Sequence, residues 1–62
     1  MNRNYKSETI QNRVRYAAGE LVDYANRGGR NQPDWIKQVN TAARKYGVHP
    51  ASVHIQISLW CD

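Results

Sequence analysis

Two glycine-containing breaks divide the chain into three segments, and this division constrains the fold more than any other feature of the sequence. Gly28–Gly29 forms the first break and Gly47 the second, and glycine commonly ends helices because it tolerates a left-handed backbone there. A proline follows each break, Pro33 and then Pro50, at positions suited to the first turn of a new helix. The pattern predicts three helices, at residues 7–27, 33–46 and 50–60.

The first two segments carry apolar residues at the spacing of a single helical face. In the first segment these residues are Ile10, Val14, Ala17, Ala18, Leu21, Val22 and Ala25. In the second they are Trp35, Ile36, Val39, Ala42, Ala43 and Tyr46. Ser7 is the predicted N-cap of the first helix, and Asn31 or Gln32 that of the second. The two apolar faces are expected to pack together as a core.

The third segment fits two patterns. Val53, Ile57 and Trp60 follow helical spacing, whereas Val53, Ile55, Ile57 and Leu59 alternate as in a β-strand. A helix is favoured because a proline stands at its start and because the chain offers no second strand for pairing. An unpaired strand would also invite aggregation. A strand that pairs across a dimer is the alternative.

The size and charge of the chain limit what it can do. Its 62 residues suit an all-α architecture, a small three-helix domain at residues 7–62 behind a flexible basic arm at residues 1–6. A core this small leaves no room for a deep catalytic cleft, so a binding role is expected and not an enzyme. Nine Lys and Arg against five Asp and Glu give a net charge of +4, which favours nucleic acid as the partner. The alternative is that the charge serves solubility alone.

The composition also bears on compartment and cofactors. The single cysteine, Cys61, forms no internal disulfide. No apolar run approaches the ~20 residues of a membrane span, and the polar N-terminus lacks the apolar stretch of a signal peptide. A cytoplasmic protein without membrane association is expected. His49, His54 and Cys61 match no standard zinc spacing, so neither a metal nor another cofactor is expected.

The second break lies within the sequence KYGVHPASV. Ala43 supplies a small residue where two helices would cross closely, and Gly47 supplies the turn. The inward positions around the turn are held by Tyr46, Val48 and Val53. With these features, residues 39–60 resemble the helix-turn-helix of bacterial and phage DNA-binding proteins.

This resemblance implies double-stranded DNA as the partner, a homodimer, and a role as a transcription regulator or a recombination accessory factor. Its base-contacting residues would be His49, Ala51, His54, Ile55 and Ser58. Its phosphate-binding residues would be Arg3, Lys6, Lys37, Arg44 and Lys45. Two features depart from the motif: the third helix contains no Lys or Arg, and Gln56 stands at an inward position that is usually aliphatic.

The same neutral third helix supports a second interpretation. Ile55 and His54, exposed on so small a chain, also suit a protein-binding module, such as a phage-type inhibitor of a host enzyme or defence complex. Failure to bind DNA together with capture of one host protein would favour it. The aromatic residues expected in the core are Trp35, Tyr46 and Trp60. Those expected on an intermolecular surface are Tyr5, Tyr16 and Tyr24.

Overall fold

A computed structural model describes residues 8–61 of the chain. It contains three α-helices: α1 at Ile10–Asn26, α2 at Trp35–Tyr46 and α3 at Pro50–Cys61. A 3-10 turn at Gly29–Asn31 lies between α1 and α2, and none of the described residues belongs to a β-strand. The prediction of a small all-α domain with three helices is confirmed, and the ambiguous third segment is a helix. The predicted arm at residues 1–6 and the predicted cap at Ser7 lie outside the described residues.

The first helix begins later than predicted because Thr9 is its N-cap. Thr9 has an extended backbone, with φ −64° and ψ 158°. Its hydroxyl accepts a hydrogen bond from the backbone N–H of Asn12 at 3.2 Å, which satisfies a donor that the first turn otherwise leaves unpaired. Glu8 therefore precedes the helix, and its carboxylate accepts a hydrogen bond from the Tyr16 hydroxyl at 3.2 Å.

The second helix begins at Trp35, two residues after the predicted start, because the chain makes a tight turn first. The backbone N–H of Trp35 donates to the carbonyl of Gln32 at 3.1 Å, and this bond closes a turn over Pro33 and Asp34. The proline thus lies before the helix and not in its first turn. Neither Asn31 nor Gln32 caps the helix, because Asp34 occupies the N-cap position.

Tyr24 stabilises the connection between α1 and α2, contrary to its predicted place on an intermolecular surface. Its hydroxyl donates to the carboxylate of Asp34 at 2.7 Å. Its ring covers Gly29 so closely that a Cβ atom at that position would lie 2.6 Å from the ring carbons. The ring centroid is also 6.1 Å from that of Trp35. The connection is therefore packed, and the sequence pattern of a glycine-rich linker did not predict this.

The core lies between the three helices. Its buried residues are Val14, Ala17, Ala18, Leu21, Ala25, Trp35, Val39, Ala42, Ala43, Val53 and Ile57. Ala17 and Ala18 are completely buried, and their small side chains let the other helices approach α1 closely. Val53 and Ile57 are the largest side chains that are completely buried, and they anchor α3 to the rest of the domain.

Three residues predicted for the core are exposed instead: Ile10, Ile36 and Trp60, with exposed fractions of 57%, 64% and 46%. Ile10 stands at the first position of α1, one turn before the first buried residue of that helix. Ile36 faces outward because the larger Trp35 beside it takes the inward position. Trp60 is exposed because the neighbouring Cys61 packs against the core instead. Cys61 lies four residues after the buried Ile57 and therefore on the same side of α3.

Replacing Gly47 by alanine is expected to destabilise the fold. Gly47 ends α2 with φ 68° and ψ 39°, a left-handed conformation that costs about 1–2 kcal/mol for a residue with a Cβ atom. The new Cβ would lie 3.6 Å from Nη1 of Arg13, which is an ordinary contact, so the cost comes from the backbone. Thermal unfolding followed by circular dichroism should show a midpoint lower by roughly 5–10 °C.

A matched control for this substitution is Gly19→Ala. Gly19 lies inside α1, and a Cβ atom at this position would have no neighbouring atom within 4 Å, so the added methyl group meets no obstacle. Alanine there should stabilise the helix by about 1 kcal/mol. The two glycine variants are thus expected to shift the midpoint in opposite directions. A Gly47→Ala variant as stable as the wild type would contradict the left-handed turn.

Candidate nucleic-acid interface

The turn between α2 and α3 is closed by a backbone hydrogen bond around a glycine in the left-handed conformation. The backbone N–H of Val48 donates to the carbonyl of Ala43 at 2.9 Å, which closes the end of α2 around the left-handed Gly47. Ala43 is buried, and its small side chain permits the close packing of α2 in the core. Val53 is completely buried on the inner side of α3. Ala43 and Val53 are therefore buried, and Gly47 has positive φ, as their spacing predicted.

His49 caps the N-terminus of α3. Its Nδ1 accepts a hydrogen bond from the backbone N–H of Ala51 at 3.0 Å, and its carbonyl accepts one from Ser52 at 3.1 Å. The ring therefore replaces the hydroxyl or carboxylate that usually satisfies such donors. The sequence pattern predicted a base-contacting role for His49, and a capping role was not foreseen.

The predicted base-contacting residues lie at the start of α3 and along its outer side, and all but one of them are exposed. His49, Ala51, His54 and Ile55 are exposed, and Ser58 is half-buried. Within the helix, the last four predicted positions follow each other at intervals of three, one and three residues, which places them on one face. The exposed part of this face is its N-terminal half.

An open groove of about 180 Å³ runs between α2 and α3 beside this face. It is lined by Ile36, Val39, Asn40, Pro50, Ala51 and His54. The lining is mostly apolar, and Asn40 and His54 provide the polar groups. Asn40 was not singled out from the sequence, although it lies four residues before Arg44 and therefore on the same side of α2.

The side chain of His54 is fixed by Trp35. The indole N–H of Trp35 donates to Nδ1 of His54 at 3.2 Å, and the two ring centroids are 5.9 Å apart. Trp35 is itself buried in the core, which holds its N–H in a set direction. Trp35 was predicted only as a core residue. Its second role depends on how α2 and α3 dock, and no local pattern in the sequence reports that.

Two of the predicted phosphate-binding cations are exposed together on α2. Lys37 and Arg44 are exposed, seven residues apart on α2 and therefore on the same side of it. Among the described residues neither forms an ion pair with an acidic side chain, although Lys37 weakly attracts Asp34. Arg3 and Lys6 lie outside the described residues. We define the α2–α3 surface as Ile36, Lys37, Asn40, Arg44, His49, Ala51, His54 and Ile55.

Lys45, the remaining predicted phosphate ligand on α2, is held by a contact with α1. Its ammonium group forms an ion pair with the carboxylate of Glu20 on α1 at 2.9 Å. The hydroxyl of Tyr46 donates to the same carboxylate oxygen. The ring centroid of Tyr46 lies 6.0 Å from that of Tyr16, the half-buried residue that was predicted for an intermolecular surface. Lys45 thus faces α1 and is neutralised within the chain.

The Glu20 cluster should make stability depend on acidity. Burial raises the pKa of Glu20, but the hydrogen bonds from Tyr46 and Lys45 outweigh it and hold the pKa below its ordinary value of 4.5. The stabilisation is therefore present above pH 4.5 and is lost as the pH falls through the lower pKa of the folded state. Glu20→Gln should flatten the decline in unfolding free energy between about pH 5 and about pH 3.

Urea unfolding at several pH values measures this decline. Tyr46→Phe is the matched variant because it removes one hydrogen bond to Glu20 and leaves the ion pair with Lys45 in place. Its acid dependence is expected to lie between those of the wild type and Glu20→Gln. Identical acid dependence in all three proteins would show that the cluster does not lower the pKa of Glu20.

Membrane-spanning helices and metal-ligand clusters do not occur in the described part of the chain. None of the helices within residues 8–61 has the length and apolar character needed to cross a membrane. In the same range, no group of three or more His, Cys, Asp or Glu side chains is arranged to hold a metal ion. Cys61 is half-buried against the core. The α2–α3 surface is therefore the best-defined candidate site.

Similarity to known proteins does not identify a function for this chain. No protein-family model matches it, and neither the curated proteins nor the solved structures include a match. The resemblance of residues 39–60 to the helix-turn-helix consequently stays a prediction. Any functional proposal depends on the geometry and charge of the α2–α3 surface.

Proposed function

We propose that this chain is a small DNA-binding protein that contacts double-stranded DNA through the α2–α3 surface. The observation that carries the proposal is the exposed N-terminal half of α3, which follows the left-handed turn at Gly47, together with the exposed Lys37 and Arg44 on α2. An α-helix of about 10–12 Å diameter fits the major groove of B-DNA, which is about 12 Å wide. The proposed role is that of a bacterial or phage cytoplasmic protein acting as a transcription regulator or recombination accessory factor.

In this arrangement the two helices have different tasks. Lys37 and Arg44 on α2 bind phosphates and set the position of the domain on the duplex. His49 and His54 offer polar groups to base edges, and Ile55 offers an apolar contact to a thymine methyl group. Phosphate contacts supply most of the affinity, because α3 itself contributes no charge.

We also propose that the protein binds DNA as a homodimer. The chain carries a charge of +4, so most of its surface repels a second copy. The C-terminal half of α3 carries no charged residue and exposes Leu59 and Trp60, with exposed fractions of 68% and 46%. An uncharged apolar patch is self-complementary, as a two-fold interface requires. Two copies would then read half-sites about one helical turn apart.

Fluorescence anisotropy of labelled random-sequence duplex DNA tests the proposed function. The expected dissociation constant is about 10⁻⁴–10⁻⁶ M, with affinity falling steeply as salt rises from about 50 to about 200 mM. Sedimentation of the protein alone, and of Trp60→Ser, tests the dimer, which the serine variant should weaken. Absence of binding at the lowest salt would refute DNA binding whatever the oligomeric state.

A second candidate function is protein binding, as in a phage-type inhibitor of a host enzyme or defence complex. The observation that favours it is the apolar exposure around α3, where Ile36, Ile55 and Leu59 are each more than 60% exposed. Apolar patches on small proteins commonly mark contacts with other proteins. Capture of one bacterial protein by the wild type but not by Leu59→Ser, together with a failure to bind DNA, would favour this function over the first.

A further inference from the structure

Both histidines of the α2–α3 surface accept a hydrogen bond from within the chain at the same ring atom. Nδ1 of His49 accepts from the backbone N–H of Ala51 at 3.0 Å. Nδ1 of His54 accepts from the indole N–H of Trp35 at 3.2 Å. Both partners are donors only, so each Nδ1 must be without a proton. In a neutral imidazole the single proton then resides on Nε2.

Each of these hydrogen bonds has a structural reason to persist. The bond to His49 satisfies a backbone N–H in the first turn of α3, which has no partner within the helix. The bond to His54 satisfies the indole N–H of Trp35, a side chain with only 4% of its surface exposed. Losing that bond would leave a largely buried donor unpaired. The fold thus selects one tautomer at both positions.

We infer that His49 and His54 act as a pair of fixed Nε2–H donors that recognise the acceptor edge of guanine in the major groove. This inference rests on the proposed DNA binding. Guanine presents two acceptors there, N7 and O6, whereas cytosine presents an amino donor that a fixed Nε2–H cannot accept from. Trp35 is a positioning residue in this arrangement, because it acts on DNA only through His54.

The two histidines matter for base recognition because α3 lacks the residues that usually contact guanine. Guanine is most often read by Arg or Lys, and α3 contains neither. Its exposed side chains in the N-terminal half are otherwise Ala51 and Ile55, which have no hydrogen-bonding groups. Among the exposed residues from His49 to Ile55, the two histidines are therefore the side chains that can donate a hydrogen bond, and the tautomer decides which bases they complement.

The tautomers are tested first, without DNA. Long-range ¹H–¹⁵N NMR of the labelled protein at about pH 8, where imidazoles are ordinarily neutral, distinguishes a protonated from an unprotonated ring nitrogen. Both histidines of the wild type are expected to show an unprotonated Nδ1. Trp35→Phe, which keeps a ring but removes the N–H, should shift His54 alone towards a mixture of tautomers. A wild-type spectrum with Nδ1 protonated at either histidine overturns the inference.

Base recognition is tested next, with duplexes that the protein enriches from a random pool. Replacing guanine by 7-deazaguanine removes the N7 acceptor and should weaken wild-type binding by roughly 2- to 10-fold, as expected for the loss of about one hydrogen bond. The His49→Ala and His54→Ala double variant should bind both duplexes alike. Equal wild-type binding to both duplexes overturns the guanine assignment and leaves DNA binding intact. Failure to bind either duplex refutes DNA binding itself.

Discussion

Ile57→Ala is expected to remove a large fraction of the protein's free energy of unfolding. Ile57 is completely buried between the helices, and removing such a side chain to alanine costs about 2–5 kcal/mol. At about 0.05–0.15 kcal/mol per residue, a domain of 62 residues has a free energy of unfolding of roughly 3–9 kcal/mol. The substitution therefore removes a large fraction of the total. Urea unfolding followed by tryptophan fluorescence measures the loss.

Ile55→Ala is the matched control, with the same residue types only two positions away. Ile55 is 63% exposed, so its truncation should change the free energy of unfolding by less than about 0.5 kcal/mol. A helix places these two isoleucines on different sides, whereas a strand would place them on the same side. Similar losses for the two variants would therefore contradict the helical register of α3.

Ile55 and Ile57 also show which features of α3 could be predicted from the sequence and which could not. Its composition fits both a helix and a strand, and its apolar residues surround the whole helix, so spacing alone does not select the inward face. The core selects it: Ile57 is buried, and Cys61 follows four residues later against the core. Trp60, at the position that spacing favoured, is left exposed. Which apolar side is buried depends on docking against α1, which local periodicity does not report.

In the candidate site, too, the features set by neighbouring residues were predictable, whereas the contacts between residues far apart in the sequence were not. The turn residues Ala43, Gly47 and Val53 lie within eleven positions of one another, so their spacing was enough to predict the turn geometry. The ion pair of Lys45 joins residues 25 positions apart, and the hydrogen bond to His54 joins residues 19 positions apart. Such contacts form only after the helices pack. The sequence therefore predicted the turn at Gly47, but not that Lys45 pairs with Glu20 or that Trp35 donates to His54.

Replacing Lys37 and Arg44 together by alanine is expected to have the largest effect on DNA binding. Both side chains are exposed on α2, and neither is held by an ion pair within residues 8–61. Each phosphate contact contributes about −0.9 to the slope of log affinity against log salt, so the slope should become shallower by about 1.8. Across a fourfold change of salt, the double variant should lose roughly tenfold less affinity than the wild type. Anisotropy titrations at several salt concentrations measure both slopes.

A second double variant separates the position of these charges from their number. Arg15→Ala with Arg27→Ala removes the same net charge from exposed positions at α1, and Arg27 is already paired with Asp23 at 3.0 Å. Because α1 lies outside the α2–α3 surface, this variant should keep a slope close to that of the wild type. A general attraction between a basic protein and DNA would instead weaken both variants equally. A shallower slope for the α1 variant alone would place the phosphate contacts on α1 and contradict the proposed orientation of α3 in the groove.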